Sequence, residues 1–566
     1  MVQQLSLDTA ISQLIKCIQA DFDWQIMDVD HPHYGALFNK ESGLEEAGHG
    51  GTARFVMNCG LILLTIERHP EALPSNTPKI ETLHQRISVA LDYMQRAQRP
   101  SGLIDLRSTN YDSSPDTSFV VEQFCALSSL AQDSILLVDV LKKIEAFVRR
   151  AIPGILIGGF HTPNHRWVIV SALSQAGKLF DDLDVDSVIR SYISEGFDAD
   201  DEGAYIERSV GIYDSVSNRA LMFFAQNWED PDNIEDALNT VGRNLELDLH
   251  LLHADGTAET GLSRRQDYGM RAIPVSLITP LLQYNAIRPD ERFVKAVQWL
   301  WAWAKNTPVE ADIGWVCYSL LKYGVPPPAT ASIPTRFIRY FPQNRIWRVR
   351  TENLSASVFG GVTRLMTLVY GEIELCGIKI SQTYFGVGHF IAETMNVEAD
   401  SVTLHSSGQQ KFHKPGYELP LNRLVAPEKW EDAILDRDFY PIPPAESALT
   451  ITTVEGGFDF YFRTLNGLDQ VPVQIAFDFP SGGYWETPDT ALQSQSGQVI
   501  FLKQGYGHLR FGNDIIHIGP GAEGHRYYAM RHTEPVSANQ TRILITFVTP
   551  VDHRFSIRIS RGLNRI

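Results

Sequence analysis

The stretch KYGVPPPATASIPTRF, residues Lys322–Phe337, carries four prolines, Pro326, Pro327, Pro328 and Pro334. Proline has no backbone N–H and a fixed φ, so no helix crosses this segment and it reads as a linker. The hydrophobic period differs on its two sides. Upstream, stretches such as TARFVMNCGLILLTIERH, KIETLHQRISVALDYMQRA and RFVKAVQWLWAWAKN repeat their apolar residues at helical spacing. Downstream, RIWRVRT, SASVFGG, LMTLVYG, SVTLHSS, ALTITTV, FDFYFRT, VQIAFDF, QVIFLKQ, RILITFV and RFSIRIS alternate with period two and are rich in β-branched and aromatic residues. An α-then-β chain follows, with residues 1–328 helical and 329–566 an antiparallel β-sandwich.

The helical half is repetitive. Glycine loops precede helix-like stretches at Gly50 and Gly51, Gly102, Gly158 and Gly159, Gly203, Gly256 and Gly314, at intervals of about fifty residues, the length of one helical hairpin. Six such units fit before the linker. Stretches after the glycine loops are apolar over much of their circumference, and the alternate ones have polar faces, as inner and outer helices of an (α/α)6 toroid would. An open solenoid of hairpins would show the same pattern, so the sequence leaves ring closure open.

The 566 residues exceed what one core serves, and Lys plus Arg at 49 against Asp plus Glu at 67 give a net charge of −18. That sign argues against nucleic-acid and anionic-membrane partners and makes a long sulfated polyanion an awkward ligand. Cys17, Cys59, Cys125, Cys317 and Cys376 are widely spaced, with no metal-binding or redox pattern, and read as free thiols. The N-terminus has neither the basic start nor the apolar run of a secretory signal, so a cytoplasmic location is expected, although a chain already relieved of its signal would read the same. An acidic surface beside a large sandwich is compatible with a homodimer.

In a ring, the glycine loops gather at one end, and four of them hold more polar groups than helix capping needs. GGFHTPNHRWVIVSAL offers His161, Asn164, His165 and Trp167. DDEGAYIERSVGIYDSVSNRAL offers Tyr205, Glu207, Arg208 and Tyr213. The flanking loops add Asp105, Arg107, Tyr111 and Asp116 on one side and Glu259, Arg264, Arg265 and Tyr268 on the other. Taken singly, each arginine is a surface ion pair, each tyrosine core and Asn164 a cap. Together, their arginines would let an acidic protein hold a carboxylate.

A glycine loop with Asn164 and His165, followed by a loop with Glu207, Arg208 and Tyr213, ahead of a β-sandwich, resembles the heparinase II/III-type polysaccharide lyases. The resemblance implies cleavage beside a uronic acid by β-elimination, giving a C4–C5 unsaturated uronate. It implies Asn164 as carboxylate neutraliser, His165 as base or neutraliser, Tyr213 as base or leaving-group acid, and Arg208 as a holder of charge. Tyrosine suits these roles when a cation lowers its pKa, and Arg208 or Arg219 is placed to do so. His161, Trp167, Tyr205, Glu207, Arg107, Asp116, Arg264, Arg265 and Tyr268 would bind the saccharide, with His389 or His405 joining from the β-domain. No cofactor is expected. A structural metal occurs in the sandwich of some relatives, but His405, His413 and Asp400 are scattered too loosely to define one. The charge points to a small uronic-acid-containing oligosaccharide, including one with rhamnose linked to glucuronate.

Two other readings stand beside this one. A glycoside hydrolase of glucuronides or unsaturated uronides would draw its acid and base from Asp116, Glu207 and Glu259. A non-catalytic carbohydrate-binding protein would use Trp167, Tyr111 and Tyr268 as platforms.

Overall fold

The computed structural model describes residues 5–304, 312–384, 386–409, 414–531 and 533–561. The chain forms two compact units, one of Met1–Leu252 with Gly256–Pro334 and one of His253–Asp255 with Thr335–Ile566.

The first unit contains twelve described α-helices: α1 (Leu7–Phe22), α2 (Thr52–Arg68), α3 (Ile80–Ala97), α4 (Ser114–Leu130), α5 (Val138–Ile157), α6 (Pro163–Leu179), α7 (Asp186–Ile193), α8 (Tyr213–Asn227), α9 (Pro231–Leu251), α10 (Ile278–Ile287), α11 (Glu291–Ala304) and α12 (Ile313–Tyr323). The even-numbered helices pack in succession from α2 to α12, and α12 returns to α2. The ring closes. Each inner helix has an outer partner, α3 on α2, α5 on α4, α7 on α6, α9 on α8, α11 on α10, and the N-terminal α1 on α12. Docking of the first helix against the last excludes the open solenoid.

Burial explains which helices lie inside. Residues 114–128 of α4 are all buried, whereas α3 buries a stripe, Leu83, Ile87, Ala90, Leu91 and Met94 with Tyr93, and exposes its charged face. Two of the glycine loops lie on neighbouring outer helices too closely for any side chain. Gly102 (φ +90°) and Gly203 (φ +94°) would place a Cβ 1.9 Å from the Arg150 carbonyl oxygen and 2.3 Å from that of Arg243. Both positions require glycine twice over, for the left-handed φ and for the space. Two loops fold further into small antiparallel hairpins, β1 (Leu37–Asn39) with β2 (Leu44–Glu46) and β3 (Ile104–Leu106) with β4 (Asn110–Ser113).

The second unit is a sandwich of an eight-stranded and a nine-stranded sheet. Their inner faces share one core, in which Phe460 stacks on Phe555 at 4.6 Å and Phe477 meets Phe555 edge-on. All ten strand-like stretches read from the sequence form strands. Ile373–Gln382 adds a strand beside Pro472–Pro480 in the eight-stranded sheet. The arrangement is not wholly antiparallel: Val499–Phe501 pairs in parallel with Gln540–Val548, and Glu523 bridges Thr546 in parallel. Of the five cysteines, Cys59, Cys125 and Cys317 are buried and Cys17 and Cys376 partly so. Among the described residues no helix is long and apolar enough to cross a membrane.

Candidate active site

The N-termini of α4, α6 and α8 are neighbours in the ring, because α4 packs on α6 and α6 on α8. Their first turns bring the sequence candidates together. Pro163 starts α6, so Asn164 falls in its first turn with a free backbone N–H. That N–H donates to Glu207 Oε2 at 3.2 Å, and Asn164 Nδ2 donates to Glu207 Oε1 and Oε2 at 2.9 and 2.8 Å. Arg265 Nε reaches Glu207 Oε1 at 3.2 Å from the next loop. The same guanidinium lies 4.4 Å over the ring of Tyr213, the first residue of α8. Asn164, Glu207, Arg265 and Tyr213 thus form one chain of contacts drawn from three loops.

The strap 207–212 that carries Glu207 to Tyr213 is tightly held. Arg208 sits at φ +52°, a conformation non-glycine residues rarely adopt. Asp214 Oδ1 accepts from the Ser209 N–H at 3.0 Å. Asp267, from the loop of Arg265, accepts from Ser209 Oγ at 2.9 Å and the Gly211 N–H at 3.1 Å. Burial raises Glu207 above the ordinary carboxylate range, against the hydrogen bonds of Asn164 and the charge of Arg265.

His165 is buried beside this chain, with the His161 ring edge-on at 4.6 Å and Phe119 at 6.2 Å. Burial first, then the neighbouring His161, lowers it to about 4 against the pull of Asp116. Its imidazole is therefore neutral at neutral pH. Its Nδ1 and the Oδ1 of Asn164 are buried without hydrogen-bond partners. His49 belongs to the same group, and sequence reasoning missed it. Its ring stacks on Phe119 at 4.2 Å, and its position before Gly50 and Gly51 in the first glycine loop was the available signal.

Several expected contacts differ. Asn164 Nδ2 donates to Glu207, a carboxylate of the protein itself. The cation at Tyr213 is Arg265, while Arg219 pairs with Glu122 at 2.7 Å and lies over Trp315. Trp167 and Tyr205 are corrections: they are 0% and 1% exposed, and their polar atoms are bonded to Asp198 and Asn218. They are core residues that cannot touch a saccharide. Asp116 is buried, accepting from Asn110 Nδ2 at 2.8 Å and Ser113 Oγ at 2.5 Å.

The other candidates spread outward. Arg264 and Tyr268 are exposed at the loop of Arg265, and the Arg264 N–H donates to the Glu207 carbonyl at 3.0 Å. His161 is exposed at the mouth of the third loop. Arg107 is drawn aside to Glu45 at 2.5 Å. His389 and His405 belong to the second unit, where His405 Nε2 lies 2.7 Å from Glu446 Oε1. His413 lies outside the described residues.

No protein-family model matches the chain, and no curated protein sequence is similar to it. Solved structures are. Heparinase III superposes with a TM-score of 0.57 at 11% identity, over 100% of this chain and 87% of its own. A chondroitinase AC lyase gives 0.52 at 10% identity, over 99% and 83%. The chondroitin AC lyase of Streptomyces coelicolor A3 gives 0.51 at 12% identity, over 98% and 80%. The chain has the fold of these polysaccharide lyases, a helical toroid followed by a β-domain.

Proposed function

We propose that this protein is a lyase that cleaves an oligosaccharide next to a uronic acid by β-elimination, leaving a C4–C5 unsaturated uronate. One observation carries the reading: a single guanidinium, Arg265, joins the Glu207 carboxylate to the face of Tyr213. Elimination needs a cation to hold the uronate carboxylate, which acidifies the C5 proton, and groups to move that proton and protonate O4.

Arg265 is the cation. Glu207 holds Arg265 in place from one side, and an arriving uronate would share its guanidinium. The positive ends of α4, α6 and α8 favour the same anion. Tyr213 and His165 are the proton carriers. A neutral imidazole accepts a proton but supplies no positive charge, so His165 acts as base or hydrogen-bond partner. Arg265 also places positive charge over the ring of the phenol on which negative charge develops. Asn164 positions Glu207 between these groups. The lyase fold of the similar structures agrees with this chemistry.

Hydrolysis would need two carboxylates facing the scissile bond. Asp116 and Glu207 are 2% and 4% exposed and already engaged, and Glu259 Oε1 accepts from the Gly261 N–H at 2.8 Å. That arrangement favours elimination. The test is incubation with a panel of uronic-acid oligosaccharides while following ultraviolet absorbance of a new C4–C5 double bond. Absorbance should rise with each new reducing end. Reducing ends released without it would assign a hydrolase instead.

A further inference from the structure

The backbone N–H groups of Tyr213 and Arg265 lead, through one serine each, to the same atom. The Tyr213 N–H donates to Ser209 Oγ at 3.2 Å, and that hydroxyl donates to Asp267 Oδ1 at 2.9 Å. From the other loop, the Arg265 N–H donates to Ser263 Oγ at 3.1 Å, and the Ser263 hydroxyl donates to the same Oδ1. The second carboxylate oxygen, Oδ2, accepts from the Gly211 N–H at 3.1 Å. One side chain therefore ties the strap that ends in Tyr213 to the loop that carries Arg265.

Chemistry and space both restrict this hub to one arrangement. Each serine has a single hydroxyl proton, committed to Asp267, and a lone pair left over for the backbone N–H. Asp267, Ser209 and Ser263 are buried, so solvent does not replace these bonds cheaply. Gly211 approaches so closely that a Cβ there would stand 2.8 Å from Asp267 Oδ2. The contact that the hub fixes is the Arg265 guanidinium 4.4 Å over the Tyr213 ring. A cation–π contact between partly exposed side chains is weak against the conformational freedom of two loops. The bonds to Asp267 supply the restraint that it lacks.

We propose that Asp267 is a positioning residue that sets the spacing of Tyr213 and Arg265 by anchoring both backbone amides through Ser209 and Ser263. It acts through those two residues and transfers no proton of the reaction. This deepens, and rests on, the reading of Tyr213 as a proton carrier and Arg265 as the cation of uronate elimination.

Kinetics of Asp267 variants test the assignment. Asp267→Ala deprives two hydroxyls and the Gly211 N–H of their acceptor, and kcat for unsaturated product should fall about 10²-fold. In a Tyr213→Phe background the same substitution should cost about twofold or less, because the spacing it disturbs no longer serves a phenol. Asp267→Asn should keep kcat within about fivefold of the unsubstituted protein, since its oxygen can accept from Gly211 while its amide donates to the serine oxygens. Gly211→Ala crowds Oδ2 while retaining Asp267 and should lower kcat about tenfold. It takes the place of Asp267→Ala in every comparison if the latter does not fold. Hydrogen exchange followed by mass spectrometry reads the anchor without turnover: residues 207–213 and 263–268 should exchange about tenfold faster in Asp267→Ala, with α4 unchanged.

The proposal is overturned by an equal loss of kcat in the two backgrounds, by an asparagine variant as slow as the alanine one, or by unchanged exchange in both segments. Failure of the elimination reading shows separately, as absence of unsaturated product from the unsubstituted protein while exchange in both segments still responds to Asp267→Ala.

Discussion

Glu207 in the helical unit and Asp478 in the sandwich are buried carboxylates that each meet an arginine, and they are satisfied differently. Asp478 lies directly across from Arg542 on paired strands and accepts from its Nε and Nη2 at 2.7 and 2.9 Å, with both side chains under 5% exposed. Arg265 reaches a single Glu207 oxygen at 3.2 Å, shares its charge with the Tyr213 ring, and has the orphaned Asn164 Oδ1 and His165 Nδ1 in its surroundings. The first is a closed fork, complete without a ligand. The second retains hydrogen-bonding capacity at the loop end of the toroid, which is what a ligand site requires.

Substitutions can break that contrast. Tyr213→Phe should lower the elimination rate about 10³-fold while leaving the thermal midpoint unchanged, since the side chain is partly exposed and loses only its hydroxyl. A loss under about tenfold would remove Tyr213 from the proton transfers. Asp478→Asn should destabilise the protein by about 3 kcal/mol in denaturant unfolding, because Arg542 is left buried with its charge uncompensated. Glu207→Gln sharpens the comparison. It should cost under about 1 kcal/mol of stability, as it relieves a buried charge, yet reduce elimination about 10²-fold by removing the carboxylate that orients Arg265. Equal destabilisation by Glu207→Gln and Asp478→Asn would make both pairs structural.

The smallest effect concerns pH. Asp214, the residue after Tyr213, interacts with a second buried acid, Asp248, whose oxygens have no other hydrogen-bond partner. Burial raises both, Asp214 to about 7. A carboxyl raised on folding contributes stability that is fully present below its unfolded pKa and is lost as pH climbs through the folded value. The thermal midpoint should therefore fall between about pH 4 and pH 7, and Asp248→Asn should flatten that slope in scanning calorimetry. An unchanged slope would mean that the pair does not share a proton.

Much of the architecture was legible because the signals were local. The prolines at 326–328 and 334 mark the change of period, and the first five glycine loops precede inner helices, while Gly314 lies within the first turn of α12. The strand Ile373–Gln382 carries a blurred two-residue period, since four of its five odd-numbered positions and three of those between them are buried. Within the site, the loop of Asn164 and His165 stood out by composition. Composition cannot say which side of a loop faces inward, and Trp167 and Tyr205, chosen on the same grounds, are core. His49 joins the group only through Phe119 of α4, a contact no local pattern encodes.

By itself, the sequence determined the order of helices and strands, the six-unit repeat and the loops in which polar groups collect, because periodicity and backbone permissiveness act over a few residues. Only the tertiary structure decided that the ring closes through α1 and α12, that Asn164 serves Glu207, and that Arg265 is the cation at Tyr213. Those pairings join loops far apart in the chain. Their distances are set by how inner helices pack around the ring, and no local pattern encodes them.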